Sequence, residues 1–463
     1  MSDPPHERPY GDVLETIGWT PLVRLRRVVD DARTPVWGKA EFFNPGGSVK
    51  DRIGTAIIEE AEREGRLEPG GTVVEGTSGN TGVGLALAAA VKGYRCVFTI
   101  PDKMSDEKVR LLKAFGAEVI VTPTAVPPDH PDYYVNVARR IAEDRPNAVL
   151  ADQFYNEANP RAHFETTGPE IWEQTDGRVT HFVASPGTGG TITGAGRFLK
   201  ERNPDVRVIA GDPAGSIFHH YSETGETMDG APYKVEGIGN DKIPTTLDFD
   251  VVDEFRTVGD RESFLMARRV TREEGLFVGG STGLIVHVAA EVAREVDDPD
   301  ACVVCILCDT GERYLSKLYS DEWMRENRML RPDRATARYL LAGKEGEPSR
   351  PLVSVAPGEP VREALALIEA HAVSQLPLLA DGRNVGSVEE GELMSSVLRD
   401  PDLLDAPVGE VAGPPFPVVS SKAEMADLSG KLTRDVPAVL VEEEGEIVGI
   451  LTRYDLLHHM TGR

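Results

Sequence analysis

One lysine in this chain sits where an amine can do chemistry. It is Lys50, in the segment Asn44-Pro45-Gly46-Gly47-Ser48-Val49-Lys50-Asp51-Arg52. Most lysines are solvated surface charges. This one follows two glycines and a serine, and it opens a helical pattern through Ile53, Ala56, Ile57 and Ala61. Ser48 is the expected N-cap of that helix. Partial desolvation at the mouth of such a loop lowers an amine's pKa and makes it a nucleophile or a base.

Two further loops narrow the chemistry. Glu75-Gly76-Thr77-Ser78-Gly79-Asn80-Thr81-Gly82 lies between a strand and a helix. Its amides and hydroxyls converge at a helix N-terminus, a site suited to a carboxylate. Ser185-Pro186-Gly187-Thr188-Gly189-Gly190-Thr191 follows the strand His181–Ala184 and precedes a helix, which suits a phosphate. A Walker loop is excluded because no Gly-Lys-Ser/Thr follows, and Lys50 is followed by Asp51. A dinucleotide fingerprint is excluded because Gly187-x-Gly189 lacks the third glycine. An amine, a carboxylate cradle and a phosphate cradle are the three needs of pyridoxal 5′-phosphate acting on an amino acid.

The elements that must position these loops alternate along the chain. From Gly11 to about Ser320, glycine-flanked apolar runs (Thr72–Glu75, Cys96–Ile100, Val119–Thr122, His181–Ala184, Val206–Gly211, Cys302–Cys308) are separated by helical patterns. That rhythm predicts an α/β protein with two parallel-sheet subdomains sharing a cleft. Cys302, Cys305 and Cys308 read as residues of a buried strand rather than metal ligands, so no metal site is expected. The catalytic domain is expected over 1–324, a linker over 325–350, and a second domain over 351–463. That tail repeats itself: Gln375–Leu379 and Arg383–Ser387, each flanked by helical patterns, reappear as Val436–Leu440 and Glu446–Ile450. The copies, about 351–405 and 406–463, are each a helix–strand–strand–helix unit.

Composition bounds the partners. The 463 residues carry a formal net charge of -26, which argues against nucleic acid or an anionic membrane as partner. The polar, proline-rich first ten residues do not read as a signal peptide, and no apolar run is long enough to span a bilayer, so the cytoplasm is the expected location.

With these motifs in view, the chain resembles the β-replacing fold-type II pyridoxal-phosphate enzymes, the family of cystathionine β-synthases and cysteine synthases. The resemblance covers nearly all of Gly11 to Ser320, through Gly46–Arg52, Thr77–Gly82, Gly187–Thr191 and Gly279-Gly280-Ser281. It implies a Schiff base at Lys50, a hydrogen bond from Asn80 to the cofactor's phenolic oxygen, and the cofactor phosphate at Gly187, Thr188, Gly189, Gly190 and Thr191. It implies Ser281 at the pyridine nitrogen, and Thr77, Ser78, Gly79, Thr81 and Gln153 at the substrate carboxylate. A serine hydroxyl pairs with an unprotonated ring nitrogen and leaves a weaker electron sink than an aspartate would. Lys50 would be the general base at Cα.

The implied reaction condenses L-serine with L-homocysteine to L-cystathionine by β-elimination and β-addition through an aminoacrylate. The alternatives are a cysteine synthase, using O-acetylserine or serine with sulfide, and a serine/threonine dehydratase. Ala88–Cys96, Val235-Glu236-Gly237-Ile238-Gly239 and the tail favour the first, because the tail resembles a tandem pair of CBS repeats (a Bateman module). In its second copy Thr452 and Asp455 match a nucleoside-binding pattern, which implies S-adenosylmethionine or another adenosyl ligand. In the first copy Glu389 and Glu392 replace the matching threonine and aspartate. Asn240 and Phe154 also depart from the family's tyrosines at the substrate mouth. No haem is expected, since only His6 precedes the catalytic region and no cysteine lies near it. A homodimer is implied by the resemblance alone.

Overall fold

The computed structural model describes residues 9–77, 79–102, 106–123, 126–127, 130–330, 336–344, 352–433 and 436–461. The chain divides into two compact units, Met1–Met329 and Leu330–Arg463.

Among the described residues the first unit holds ten strands: β1 (Leu22–Leu25), β2 (Val36–Ala40), β3 (Thr72–Gly76), β4 (Arg95–Pro101), β5 (Glu118–Thr122), β6 (Ala148–Leu150), β7 (His181–Ala184), β8 (Arg207–Pro213), β9 (Glu254–Val258) and β10 (Val303–Leu307). They form two sheets. One has the order β5-β4-β3-β6 and is parallel throughout. The other has the order β1-β2-β10-β7-β8-β9 and is parallel except for the edge pair β1/β2. Strands covered on both faces need apolar residues at every position. β10 meets this, with all five residues apolar and buried; β3 is equally buried but carries Thr72 and Glu75 among its five residues. The expected α/β architecture with two parallel sheets is observed, with one antiparallel edge strand added.

The second unit contains the duplication. β11 (Gln375–Ala380) and β12 (Arg383–Glu389) form one hairpin, and β14 (Ala438–Glu443) and β15 (Glu446–Thr452) form the other, with β13 (Val418–Ser420) parallel to β14. Asp381-Gly382 and Glu444-Gly445 turn the two hairpins with positive φ at both residues, the conformation tight hairpins require. In the first copy Val355 bridges Leu378 in parallel, echoing the pairing of β13 with β14. Within the segment 325–350, expected as a linker, the described residues 325–330 and 336–344 are more structured than their composition suggests. The first unit runs on to Met329, and the helix Ala337–Lys344 belongs to the second unit. Ala337 and Leu340 are buried there in the core of the second copy, with Leu428, Val439 and Leu451. The sequence does show a helical pattern from Ala335 to Leu341 inside the expected linker, and Ala337 and Leu340, one turn apart, are the side chains that dock it.

The helix carrying Lys50 is α1 (Lys50–Arg63), packed on α2 (Asn80–Lys92). Its apolar face, Ile53, Ile57, Ile58 and Ala61, is buried. Ser48 serves the helix start slightly differently from expectation: Val49 is the N-cap residue, and the Ser48 hydroxyl accepts from the Lys50 N–H at 3.2 Å. Two glycines let the helices touch through their backbones. A methyl group at Gly84 would sit 2.5 Å from the Lys50 carbonyl oxygen, and one at Gly54 would sit 2.5 Å from that of Gly84.

Because backbone cannot move aside as a side-chain tip can, Gly84→Ala is expected to destabilise the first unit by about 1–3 kcal/mol, the cost of overpacking. Thermal denaturation of the full chain measures it. An unchanged melting temperature would mean that α1 and α2 are free to separate.

Candidate active site

In an open parallel sheet the loops that follow the carboxyl ends of strands form the natural crevice for a ligand. The loop after β3 carries Asn80, the loop after β7 carries Ser185 to Gly189, and the chain after β10 carries Cys308 and Asp309. Lys50 and Ser281 enter from the starts of α1 and of the helix Gly280–Val296. These segments enclose a cleft of about 520 Å³, counting its open side, lined by Lys50, Asn80, Gly187, Thr188, Gly189, Thr191 and Ser281. Gly190 follows within the same loop as the first residue of the helix Gly190–Arg202.

Lys50 is the one lysine or arginine lining this cleft among the described residues. Burial lowers its pKa, against the opposing pull of Cys308, Asp309 and Glu41. Its neighbour Asp51 is fully buried, with one carboxylate oxygen accepting from the Gly46 N–H at 2.5 Å. Next along, Arg52 is held between two buried carboxylates. It donates to Glu41 at 2.7 and 2.8 Å and to Glu170 at 2.7 and 2.8 Å. Lys39 also donates to Glu170, at 2.6 Å. Burial alone would raise the Glu41 pKa, but Arg52 overrides it and the carboxyl falls to about 2.

Asn80 is oriented from both ends. Its Nδ2 donates to Asp309 at 2.8 Å, and its Oδ1 accepts from Arg313, which also donates to the Gly46 carbonyl. Tyr314 donates to the same Asp309 oxygen at 2.7 Å. Arg313 thereby ties the Lys50 loop to the Asn80 loop. Cys308 follows the end of β10 and is not a strand residue; it lines the cleft together with Ser281. Burial pushes its thiol up to about 12. Cys302 and Cys305 are buried, as expected of that run.

The glycines of the loop after β7 are required by close approach. Gly189 has φ +88°, and a methyl group at Gly187 would sit 2.5 Å from the Gly237 carbonyl oxygen. Ser185 lines the cleft with a buried hydroxyl that has no partner among the described residues. A free hydroxyl, two threonines and backbone N–H groups at a helix N-terminus are the donor set a phosphate needs, and the amine of Lys50 shares the cleft. These residues fit pyridoxal 5′-phosphate.

The residues expected at a substrate carboxylate form an adjoining cluster. Thr81 donates to Gln153 Oε1 at 2.6 Å, and Gln153 Nε2 donates to Glu75 at 3.0 Å. The Gly79 N–H meets the Thr77 hydroxyl at 3.3 Å. Ser78 lies outside the described residues. Burial raises the Glu75 pKa to about 8. In the second unit Thr452 and Asp455 are brought together, and they bond to each other: Asp455 accepts from the Thr452 N–H at 2.6 Å and from its hydroxyl at 2.7 Å. This is the cap of the helix Arg453–Thr461.

Sequence reasoning passed over Glu236 and Cys308, which line the cleft, and Arg313, which braces it. The run Asp309-Thr310-Gly311-Glu312-Arg313-Tyr314 directly after the β10 strand was the available signal, since polar residues at a strand's carboxyl end face the crevice.

Comparison with known proteins agrees with this geometry. Residues 13–309 match the family described as pyridoxal-phosphate dependent enzyme, and residues 346–399 and 408–462 each match the CBS domain. The cystathionine beta-synthase of Oryctolagus cuniculus is 41% identical over 471 residues, covering 98% of this chain and 85% of that one. That of Mus musculus is 42% identical over 458 residues, covering 96% and 81%. The crystal structure of O-ureido-L-serine synthase matches with a TM-score of 0.62 at 38% identity, covering 69% of this chain and 100% of that one. No described helix is long and apolar enough to cross a membrane.

The burial of Asp51 is measurable without a ligand. Desolvation raises its pKa from 3.8 to about 7 in the fold, against the Gly46 N–H and Arg313. A carboxyl whose folded pKa lies above its unfolded value contributes stability that is complete below the unfolded value and is lost as pH rises through the folded one. Between pH 5 and 8 the wild type is expected to lose about 2 kcal/mol from this group. Asp51→Asn is expected to flatten that decline in thermal melts, and parallel curves for the two proteins would refute it.

Proposed function

Since the chain belongs to the pyridoxal-phosphate dependent enzymes, in the cystathionine beta-synthase family with its paired CBS domains, we propose that it joins L-serine and L-homocysteine into L-cystathionine with release of water. The observation that carries this reading is the shared cleft, in which Lys50 faces the loop Gly187–Thr191 and Ser281.

Pyridoxal 5′-phosphate bound there supplies an electron-accepting ring conjugated to the amino acid's α-carbon. The protein's part is placement and proton transfer. Gly187, Thr188, Gly189, Gly190 and Thr191 hold the phosphate, Ser281 meets the ring nitrogen, and Asn80 directs its amide at the phenolic oxygen. Thr77, Ser78, Gly79, Thr81 and Gln153 orient the amino acid by its carboxylate. Lys50 takes the proton from Cα and later returns it; burial favours the uncharged amine that a base must be. The thiolate of homocysteine adds at Cβ in place of the hydroxyl of serine. The CBS pair is the regulatory half, with an adenosyl compound such as S-adenosylmethionine as the ligand for Thr452 and Asp455. Assembly as a homodimer in the cytoplasm completes the reading.

Two measurements test it. Serine or O-acetylserine is supplied with homocysteine or with sulfide, and the product is identified by mass. Cystathionine is expected; cysteine alone, or pyruvate formed without any thiol, would overturn the assignment. Lys50→Ala is expected to lose both turnover and the visible absorbance of the lysine-bound cofactor. An active alanine variant would remove Lys50 from the mechanism.

A further inference from the structure

Against the loop that follows β7 lies a short helix, Ala158–Ala162, which runs on into the π-helical turn His163–Thr167. Wide turns of this kind are frequent at functional sites. Asn159 and His163 are four residues apart and so share one face. They are 1% and 0% exposed. Each reaches one threonine of the loop: Asn159 Nδ2 lies 2.9 Å from Thr188 Oγ1, and His163 Nε2 lies 3.1 Å from Thr191 Oγ1.

The polarity of the first contact is fixed by its surroundings. Asn159 Nδ2 also donates to the Gln153 carbonyl at 2.8 Å, and a carbonyl can only accept. The amide nitrogen is therefore the end that meets Thr188, and Thr188 Oγ1 accepts. It accepts a second time from the Gly190 N–H at 3.4 Å. Its own hydrogen is left to donate elsewhere. On the other side, His163 Nδ1 lies 2.8 Å from Thr167 Oγ1. Burial holds the imidazole pKa down to about 3, so the ring is neutral and carries one N–H.

We propose that Asn159 and His163 are positioning residues that turn the hydroxyl hydrogens of Thr188 and Thr191 into the cleft, toward the phosphate monoester of the cofactor. His163 acts as the Nε2–H tautomer, donating to Thr191 while Nδ1 accepts from Thr167. The inference rests on the phosphate reading of the loop Gly187–Thr191 and adds what makes that loop selective. Among the described residues Lys50 is the single lysine or arginine lining the cleft, and Glu236 lines it too. A doubly charged phosphate there depends on N–H and O–H dipoles. A hydroxyl that presented its lone pairs instead would repel the anion.

The test measures the full chain's preference for pyridoxal 5′-phosphate over pyridoxal by absorbance titration after cofactor removal, together with the ³¹P resonance of the reloaded protein. A merely structural defect weakens both ligands alike and leaves the ratio unmoved. Thr191→Val and His163→Leu are each expected to lower the ratio about tenfold, the worth of one hydrogen bond to a charged group. The double variant is expected to fall little further, because His163 acts through Thr191. His163→Gln, which keeps an N–H donor, is expected to recover most of the loss. If His163→Leu does not fold, Thr167→Val, isosteric and away from the ligand, removes the donor that fixes the tautomer and is expected to lower the ratio in part. A loss with Thr191→Val and none with the His163 and Thr167 variants would overturn the inference and leave the phosphate loop standing. Full additivity in the double variant would also overturn it. No change with Thr191→Val would overturn the phosphate reading itself, and this inference with it.

Discussion

The buried guanidinium of Arg52 is the interaction on which the placement of Lys50 depends. Two carboxylates grip it in paired hydrogen bonds, and Lys39 supplies the second positive charge, so two cations meet two anions inside the first unit. Taking any one partner away leaves a buried charge uncompensated, a loss of about 3–5 kcal/mol in comparable pairs. The network joins β2, α1 and the helix Gly168–Gln174. With Arg52 immobile, the first turn of α1 is immobile, and Lys50 lies within that turn.

The same economy governs the cleft. Its walls come from two sheets, and the joints between them are hydrogen bonds between loops. Asp309 after β10 takes the Asn80 amide after β3, and Arg313 spans from Asn80 to Gly46. Asn159 reaches from the Gln153 backbone to the Thr188 hydroxyl and so links the carboxylate cluster to the phosphate loop. Asn80, Thr81, Thr188 and Thr191 each have a hydrogen-bonded neighbour that orients the side chain.

That division explains what could be read from the chain. Glycine loops at helix starts carry a local reason of their own, as in the positive φ at Gly189. Hence the loops that carry Lys50, Asn80 and Gly187–Thr191 were legible as strand-to-helix turns and the alternating strands as two parallel sheets, while Asn80 and Ser281 were singled out by the resemblance; all of them line one cleft. The braces were not legible. Arg313 and Gly46 are 267 residues apart, and Asn80 and Asp309 are 229 apart. A brace takes its meaning from a partner that spacing cannot name. Asn159 and His163 left one faint trace, two polar residues four apart across a short helix and the turn that follows it. Cys308 was misjudged for a related reason: an apolar run conceals where its strand stops, and one residue past that end the side chain enters the crevice.

In the second unit, the pairing of Thr452 with Asp455 has a thermodynamic side. The carboxylate oxygen a ribose would approach already accepts the amide and the hydroxyl of Thr452. Under the proposed binding, a ribose hydroxyl would share this carboxylate with the protein's own helix start. If the proposed nucleoside binds there, its ribose and the first turn of the helix Arg453–Thr461 would draw on the same carboxylate, and binding would be coupled to how firmly that turn is held.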